Sequence, residues 1–341
     1  MLVPIWQQVL QRTSVGAEEN FFDMGGDASS AARLFREIAR IFGRELPPVT
    51  IFQAPTINSM AALLQESRAP QFPSLVELKP GTKWPPTYIK HGMGGSVLEV
   101  FPVARAIESP HPILAMQTGG FDGYGEPAAT VEDLARLHLD AIRREQPRGP
   151  YALIGYSFGG LVMMEIAQLL QESGEEVAIL AMLETYPHRN FLPLRMRVGS
   201  YGRAFRYHAA KAGKLPMRQK IEYFTSRAAR TTHASRDEKG IANETPENGL
   251  LGAPGRERVK HNETLALERY RPRYYKGKIN FVKSARNNFL FPEDARGVWK
   301  DLAQEFEMDI VAGDHFGIVT THRRELAAVL SRHLAKAFSE V

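Results

Sequence analysis

The sequence has no cysteine among its 341 residues. This absence excludes a disulfide scaffold, a thiolate zinc site, an iron–sulfur cluster and a cysteine nucleophile, so any metal would need histidine and carboxylate ligands. The sequence also lacks any run approaching the roughly 18 consecutive apolar residues that a membrane helix needs. Its N-terminus has neither a basic region ahead of an apolar run nor a small-residue cleavage site, which argues against a signal peptide. We therefore expect a cytoplasmic protein without a membrane partner.

The residues that are present give the composition of an ordinary soluble globular protein, with 43% hydrophobic and 24% charged residues. The formal net charge is +5, but it is not evenly spread. Residues 187–262 contain 16 Lys and Arg against 6 Asp and Glu, a local charge of +10, which leaves −5 for the rest of the chain. Because the basic character belongs to one segment, we expect no nucleic-acid partner.

The chain changes character near residue 70. Before that point, apolar residues recur at helical spacing in stretches joined by loops rich in Gly and Pro. Residues 67–86 carry five prolines and a short apolar VEL core. This pattern predicts a helical domain over 1–69, a linker with a candidate first strand over 70–85, and a larger domain over 86–341.

The larger domain alternates short apolar segments with amphipathic ones. The predicted strands are TYIKH, PILAMQ, YALIGY, VAILAML and KINFVKS, and the predicted helices cover Ser96–Ile107, Val131–Glu145, Leu161–Glu172 and Arg324–Phe338. Such alternation predicts a mostly parallel sheet with helices on both faces. The basic segment 187–262 has no clear strand, and we interpret it as an insertion.

Residues 151–160, YALIGYSFGG, place the pattern Gly-x-Ser-x-Gly between a predicted strand and a predicted helix. The sharp turn between them needs small flanking residues, because neighbouring backbone passes close to the serine. This context predicts Ser157 as a nucleophile. The N-terminus of the following helix would direct the Phe158 backbone N–H toward an oxyanion.

A serine nucleophile needs a general base, and in this context the chain order is serine, acid, histidine. Six histidines follow Ser157 by more than 40 residues. His315 lies in VAGDHFGIV, a loop after an apolar strand and shortly before the last predicted helix. That is where the order places the base, so we predict His315 in this role.

Two positions compete for the acid. Glu184 directly follows the strand VAILAML, at the edge where parallel sheets carry their sites, and would orient the imidazole and stabilise its cation. The alternative follows the next strand, where Asn287 and Asn288 come early and Asp294 comes late. We favour Glu184 and keep Asp294 as the alternative, although a solvated carboxylate at a strand end would give the same sequence pattern as Glu184.

A second oxyanion donor is expected in the loop after the first inner strand. The residues KHGMGGS supply glycines just before a predicted helix, so we predict the Met93 backbone N–H as that donor. We interpret His91 as a residue that fixes the loop. No metal site is expected.

Together these motifs resemble a type I thioesterase domain of a nonribosomal peptide or polyketide synthetase. The matching residues are HGMGGS, GYSFGG, the acid after the next strand and GDHFGI. The resemblance implies an α/β-hydrolase fold with a helical lid over 187–262, and a serine that accepts an acyl group from a thioester. Most members have aspartate as the acid, so Glu184 departs from the family pattern.

Residues 1–69 resemble a peptidyl carrier, or thiolation, domain, which is a small four-helix bundle. The matching stretches are LVPIWQQVLQ, VGAEENFFDMGGD and VTIFQAPTINSMAALL. In that family a serine carrying 4′-phosphopantetheine follows Gly-Gly-Asp, and here that position is Ala28. Alanine has no hydroxyl, and Ser29 and Ser30 would face differently because a helix turns about 100° per residue. We interpret Ala28 as an engineered replacement of a native serine, with a naturally inactive carrier as the alternative.

The order of carrier and thioesterase is that of the end of a modular synthetase. The resemblance implies a chain-terminating thioesterase that moves a peptidyl chain from the carrier thioester to Ser157 and releases it by hydrolysis or macrocyclisation. It also implies upstream condensation and adenylation domains and a phosphopantetheinyl transferase as partners. The alternatives are an editing-type thioesterase or general esterase, and a non-catalytic docking module.

Overall fold

A computed structural model of the chain describes residues 1–66, 73–120, 127–192, 194–197, 199, 202, 255–286 and 291–339. The N-terminal region contains α1 (Leu2–Leu10), α2 (Ala28–Phe42), a 3-10 helix (Pro48–Phe52) and α3 (Ile57–Gln65). The larger region contains, in chain order, β1 (Leu75–Lys79), β2 (Thr87–Lys90), α4 (Val97–Ala106), β3 (Ile113–Met116), α5 (Val131–Glu145), β4 (Tyr151–Tyr156), α6 (Phe158–Glu172), β5 (Val177–Leu183), a 3-10 helix (Arg189–Phe191), α7 (Arg256–Arg269), β6 (Tyr275–Ser284), α8 (Ala295–Trp299), β7 (Ala303–Val311) and α9 (Arg323–Ser339).

The N-terminal helices pack around their own apolar core. Trp6 of α1 is fully buried and meets the ring of Phe21 edge to face, with ring centroids 5.2 Å apart. The resemblance implies four helices, and between α2 and α3 the structure has a five-residue 3-10 helix, Pro48–Phe52, with Pro47 as its N-cap. The described residues of this region therefore form three α-helices and one short 3-10 helix.

Seven strands of the described residues form one sheet in the order β1–β3–β2–β4–β5–β6–β7. Neighbouring strands are parallel except for β1 and β3, which are antiparallel. Strands β2 to β6 coincide with the five predicted strands, and β1 contains the predicted VEL core. The prediction of a mostly parallel sheet is confirmed.

Helices cover both faces of the sheet, as predicted. On one face α5 and α6 bury apolar residues such as Leu134 and Leu161 against the strands. On the other face α4 and α9 bury residues such as Val100 and Leu330. Because helices cover both faces, the carboxyl ends of the parallel strands form the edge at which a site is expected.

Most of the predicted insertion 187–262 lies outside the described residues. Its last part is described, and there α7 begins at Arg256 and continues to Arg269. The boundary predicted at residue 262 therefore falls inside a continuous helix. Among the described residues, no helix combines the length and the apolar character needed to cross a membrane.

The N-terminal helical region contacts the larger region through three aromatic rings. The ring of Phe101 on α4 lies 4.1 Å from that of Phe22 and 5.4 Å from that of Phe52, measured between centroids. Beside them, Arg105 of α4 forms an ion pair with Asp23 at 3.1 Å. The helical region thus rests against α4, the helix that follows the predicted oxyanion loop.

Candidate active site

Ser157 lies at the turn between β4 and α6. Its backbone has φ 54° and ψ −121°, a conformation that residues other than glycine rarely adopt. The Ser157 N–H donates to the Leu183 carbonyl at 2.8 Å, which ties the turn to the neighbouring strand, and a Cβ at Gly159 would overlap the carbonyl oxygen of His91. Phe158 is the first residue of α6, so its N–H has no acceptor within the helix. This is the geometry predicted for a nucleophile elbow with an adjacent oxyanion donor.

His315 lies in the loop after β7 and is 5% exposed. Its carbonyl oxygen accepts a hydrogen bond from the Tyr156 hydroxyl at 2.7 Å. Its ring centroid lies 5.1 Å from that of Tyr156 and 4.7 Å from that of Phe291. Because Tyr156 immediately precedes Ser157, this hydrogen bond connects the histidine loop to the turn that carries the serine.

Glu184 directly follows β5, and its backbone has φ 46°. Its Oε1 accepts a hydrogen bond from the Ser284 N–H at 2.7 Å, and its Oε2 lies 3.4 Å from His315 Nδ1. The residue is 3% exposed, so the alternative of a solvated carboxylate does not describe it. A carboxylate held by one oxygen and facing an imidazole N–H with the other can orient the ring and stabilise its cation.

The structure therefore brings Glu184 and His315 together, and places Ser157 at the same carboxyl edge of the sheet. Ser157 has no side-chain hydrogen-bond partner among the described residues, so no hydrogen bond joins it to His315. Such bonds between nucleophile and base are often long in ligand-free enzymes and shorten when substrate binds.

Asp294, the alternative acid, has a different contact. Its Oδ1 accepts a hydrogen bond from the Gly297 N–H at 2.7 Å and caps the N-terminus of α8. Asn287 and Asn288, the other polar residues after β6, lie outside the described residues. The geometry therefore favours Glu184 over Asp294.

The predicted oxyanion loop is a tight turn after β2. The Gly95 N–H donates to the Gly92 carbonyl at 3.2 Å, and Gly94 has φ 59°. A positive φ at the third residue is what a type II turn requires, and glycine adopts it without steric cost.

Acidic side chains occupy two amides of this turn. The Gly92 N–H donates to Glu99 Oε2 at 2.8 Å, and the Gly94 N–H donates to Glu263 Oε2 at 2.6 Å. Met93 lies between them, and its N–H has no acceptor among the described residues. The amide predicted as an oxyanion donor is thus the one that its neighbours leave available.

A buried polar cluster lies behind the turn. Lys90 Nζ donates to Thr118 Oγ1 at 2.8 Å and lies 2.9 Å from His91 Nε2, while the Thr118 hydroxyl donates to Glu263 Oε1 at 3.3 Å. Burial lowers the pKa of Lys90 to about 8 and raises the pKa of Glu263, and the opposite charge of each partner counteracts both shifts. Sequence reasoning missed this cluster. The available signal was Lys90, a charged residue inside an apolar strand.

His91 has the loop-fixing contacts expected of it. Its Nδ1 donates to the Gly92 carbonyl at 2.8 Å, and burial together with the charge of Lys90 holds its pKa well below the usual range. His91 is therefore neutral and can accept a hydrogen bond from Lys90 at its other nitrogen. Among the described residues, no group of three or more His, Asp or Glu side chains is arranged to hold a metal ion.

Family models match both regions of the chain. Residues 86–335 match the model described as a thioesterase domain, and residues 2–64 match the model described as a phosphopantetheine attachment site.

Curated relatives are much longer than this chain. Indigoidine synthase of Dickeya dadantii (strain 3937) is 35% identical over 182 residues, which are 53% of this chain and 12% of that protein. A dimodular nonribosomal peptide synthase of Bacillus subtilis (strain 168) is 34% identical over 196 residues, which are 57% of this chain and 8% of that protein.

Solved structures share the fold. Holo-AB3403, a four-domain nonribosomal peptide synthetase bound to AMP and glycine, has a TM-score of 0.57 at 22% identity, over 97% of this chain and 25% of that chain. The type II thioesterase BorB from the borrelidin biosynthetic cluster has a TM-score of 0.55 at 21% identity, over 78% of this chain and 100% of that chain.

The match at residues 2–64 implies a phosphopantetheine arm, whose attachment needs a side-chain hydroxyl at the start of α2. Ala28 is the first residue of α2, directly after its cap Asp27, and has no hydroxyl. The hydroxyl of Ser30 is engaged with the Asp27 backbone and carboxylate at 2.7 Å each. The residues present therefore do not fit the arm at Ala28.

Proposed function

Because the chain belongs to the thioesterase domain family, we propose that it is the chain-terminating thioesterase of a nonribosomal peptide synthetase. The observation that supports this function most is the buried contact between Glu184 and His315, 3.4 Å apart, at the strand edge where Ser157 occupies its strained turn. These are the parts that acyl transfer through a serine ester requires.

In this proposal Ser157 Oγ attacks the carbonyl carbon of an acyl thioester while His315 takes the hydroxyl proton. The tetrahedral intermediate collapses when His315 returns that proton to the departing thiol, which leaves the acyl group as an ester on Ser157. Water, or a nucleophile within the acyl chain, then attacks the ester with His315 again as base, and free Ser157 is restored. Glu184 keeps the imidazole in the required tautomer throughout.

The backbone N–H groups of Met93 and Phe158 stabilise the oxyanion of both tetrahedral intermediates. The occupied amides on either side of Met93 and the helix N-terminal position of Phe158 support this assignment. Loss of one such donor typically costs on the order of a hundredfold or more in kcat.

The substrate class is a peptidyl thioester, as the order of carrier and thioesterase domains in the chain suggests. Upstream condensation and adenylation domains would supply the peptide, and a phosphopantetheinyl transferase would act on a carrier with the native serine. Because Ala28 cannot hold the arm, this chain receives its thioester from a separate thiol. A four-helix carrier and a helical lid over 187–262 remain predictions.

Labelling with a fluorophosphonate probe tests the nucleophile. We expect the wild-type chain to be labelled at Ser157 and the Ser157→Ala variant to remain unlabelled, because the probe reacts with an activated serine. A folded wild-type chain that fails to label would refute the assignment and favour a non-catalytic docking module.

Turnover tests the substrate class. A peptidyl thioester mimic should be a better substrate than the matched oxygen ester, and product mass analysis separates hydrolysis from cyclisation. Preference for the oxygen ester would favour a general esterase, and preference for short acyl thioesters over peptidyl ones would favour an editing-type thioesterase.

A further inference from the structure

Helix α7 presents one side to the turn at Gly92–Gly95. Four of its residues lie on that side because residues three and four positions apart share a helix face. They are Arg256, Lys260, Glu263 and Thr264. Arg256 Nε donates to the Gly94 carbonyl at 2.9 Å, and Glu263 Oε2 accepts from the Gly94 N–H at 2.6 Å. A helix more than 160 residues away in the chain therefore holds both backbone polar groups of one residue of the turn.

The packing between α7 and the turn is close. A Cβ at Gly94 would come within 2.9 Å of Lys260 Cβ and Cγ. Thr264 Oγ1, which donates to the Lys260 carbonyl at 2.8 Å, lies 3.3 Å from Met93 Sδ. The helix thus contacts both Met93 and Gly94, and the turn has little freedom to move while α7 stays in place.

The direction of the Met93 N–H follows from the groups that hold its neighbours. The Met93 N–H and the Gly92 carbonyl belong to one trans peptide and point in opposite directions. The Gly92 carbonyl accepts from the Gly95 N–H at 3.2 Å and from His91 Nδ1 at 2.8 Å. With that carbonyl held and Gly94 clamped by α7, the Met93 N–H is directed away from these partners.

A carboxylate beside an oxyanion would oppose the developing charge unless it were compensated. Glu263 is 2% exposed, and the Thr118 hydroxyl links it to the fully buried Lys90. The buried cation balances the carboxylate, so Glu263 can accept the Gly94 hydrogen bond without adding net negative charge next to the reacting carbonyl.

We propose that α7, through Glu263 and Arg256, positions the Gly92–Gly95 turn so that the Met93 N–H donates to the oxyanion. This inference rests on the proposed function. Glu263 and Arg256 act through the turn and are positioning residues. Their loss should weaken transition-state stabilisation and leave substrate binding almost unchanged.

The test compares two double variants from which the buried charge pair is absent. Lys90→Met with Glu263→Gln keeps a side-chain oxygen for the Gly94 N–H, whereas Lys90→Met with Glu263→Leu removes it. With a peptidyl thioester mimic, we expect the second variant to have a kcat about ten- to a hundredfold below the first, with KM changed less than about threefold. Affinity for a trifluoromethyl ketone, which forms a tetrahedral adduct with Ser157, should fall in parallel with kcat.

Glu257→Gln is the matched control, because it makes the same chemical change at an exposed position of α7 and should leave kcat unchanged. Equal kcat values in the two double variants would overturn the proposal. If the second double variant does not unfold cooperatively, Arg256→Met replaces it. We expect this variant to lose affinity for the trifluoromethyl ketone relative to KM, and an unchanged ratio would overturn the proposal.

Fluorophosphonate labelling of the wild-type chain distinguishes failure of the role proposed for α7 from failure of the proposed function. A wild-type chain that does not label at Ser157 overturns both the proposed function and the role of α7. A labelled, active wild-type chain whose kcat does not depend on Glu263 or Arg256 overturns only the role of α7.

Discussion

Ser157 and Glu184 are two of the three non-glycine residues with positive φ among the described residues. The third, Gln11, ends α1 in the left-handed conformation, a usual position for such a residue. Backbone strain of this kind costs on the order of 1–3 kcal/mol and persists only where the surroundings impose it. Here the Ser157 N–H is held by Leu183 and the Glu184 N–H by Val282, at 2.8 and 2.9 Å. The sheet therefore imposes the backbone conformation from which the proposed nucleophile and acid project.

Substitution of the acid tests which carboxylate serves His315. Glu184→Gln keeps the size of the side chain but removes its charge, so it should lower kcat by on the order of a hundredfold or more, because the imidazolium loses its partner. Steady-state turnover of a thioester mimic measures this loss.

Asp294→Asn is the matched control for that measurement. Asparagine caps a helix as well as aspartate does, so kcat and stability should both stay within about twofold and about 0.5 kcal/mol of wild type. The opposite result, a large loss for Asp294→Asn and none for Glu184→Gln, would transfer the role to Asp294.

Restoring a hydroxyl at position 28 should restore attachment of the arm. We expect Ala28→Ser to gain a phosphopantetheine group when incubated with coenzyme A and a phosphopantetheinyl transferase, as measured by intact mass. The chain with Ala28 should gain none, although Ser29 and Ser30 are adjacent, because the Ser30 hydroxyl caps α2 and Ser29 projects in another direction. Loading of the chain with Ala28 at Ser29 would contradict this account.

At the scale of elements, alternation of apolar and amphipathic segments was enough to predict the sheet. All five predicted strands occur. A strand, β7, precedes His315 as expected, but its sequence AQEFEMDIV alternates polar with apolar residues and is not the apolar strand that was expected. Helix α7 was not predicted, because its buried positions include Glu263 and Thr264 and a helix with polar residues on its buried side lacks the apolar periodicity used to find helices.

The same limit applies to the candidate site. Ser157, His315 and Met93 were predicted from local motifs, in which the spacing of neighbouring residues indicates the role of each. The choice between Glu184 and Asp294 depends on which carboxylate faces His315, a contact across more than 130 residues that spacing does not encode. The cluster of Lys90, Thr118 and Glu263 joins three segments that are distant in the chain. No local sequence pattern relates these residues, so the cluster was not predicted.

Helix α5 carries a histidine that should make the protein sensitive to acid. His138 is buried, its Nε2 has no hydrogen-bond partner among the described residues, and burial together with Lys90 holds its pKa well below the usual range. In the unfolded chain the residue takes up a proton near pH 6.5, whereas in the folded chain it stays neutral. As the pH is lowered from about 7.5 to about 5.5, protonation of His138 in the unfolded chain therefore lowers the free energy of unfolding by about 1.4 kcal/mol.

His138→Leu should remove that part of the pH dependence, as measured by urea unfolding at the two pH values. His261→Gln, which replaces an exposed histidine of α7, serves as the control and should leave the pH dependence as it is in wild type. An unchanged difference between the two pH values in His138→Leu would show that the residue is already protonated in the folded protein.

At the scale of the whole molecule, apolar residues of both regions hold the helical region against α4. The contact includes the rings of Phe22, Phe52 and Phe101, buried Val49 and Leu98, and the exposed ion pair between Asp23 and Arg105. Exposed ion pairs contribute little, so the buried apolar residues, the aromatic rings among them, supply most of the attraction between the two regions.

Removing one ring should release the helical domain. Phe22→Ala should weaken the docked arrangement by about 2 kcal/mol, roughly thirtyfold in the docking equilibrium, and small-angle scattering should show a larger radius of gyration. Val3→Ala, a change at an exposed apolar residue of α1, should leave the scattering curve unchanged. A Phe22→Ala curve identical to that of wild type would mean that other contacts hold the domain.

The short connection between α3 and β1 strengthens this contact. Nine residues separate Gln65 from Leu75, and a chain of that length spans at most about 30 Å. Confinement within such a radius amounts to an effective concentration in the millimolar range. A contact with a millimolar dissociation constant would not keep two separate proteins together at micromolar concentration, but it is sufficient within one chain. The short connection, as much as the contact itself, therefore keeps the helical region beside α4.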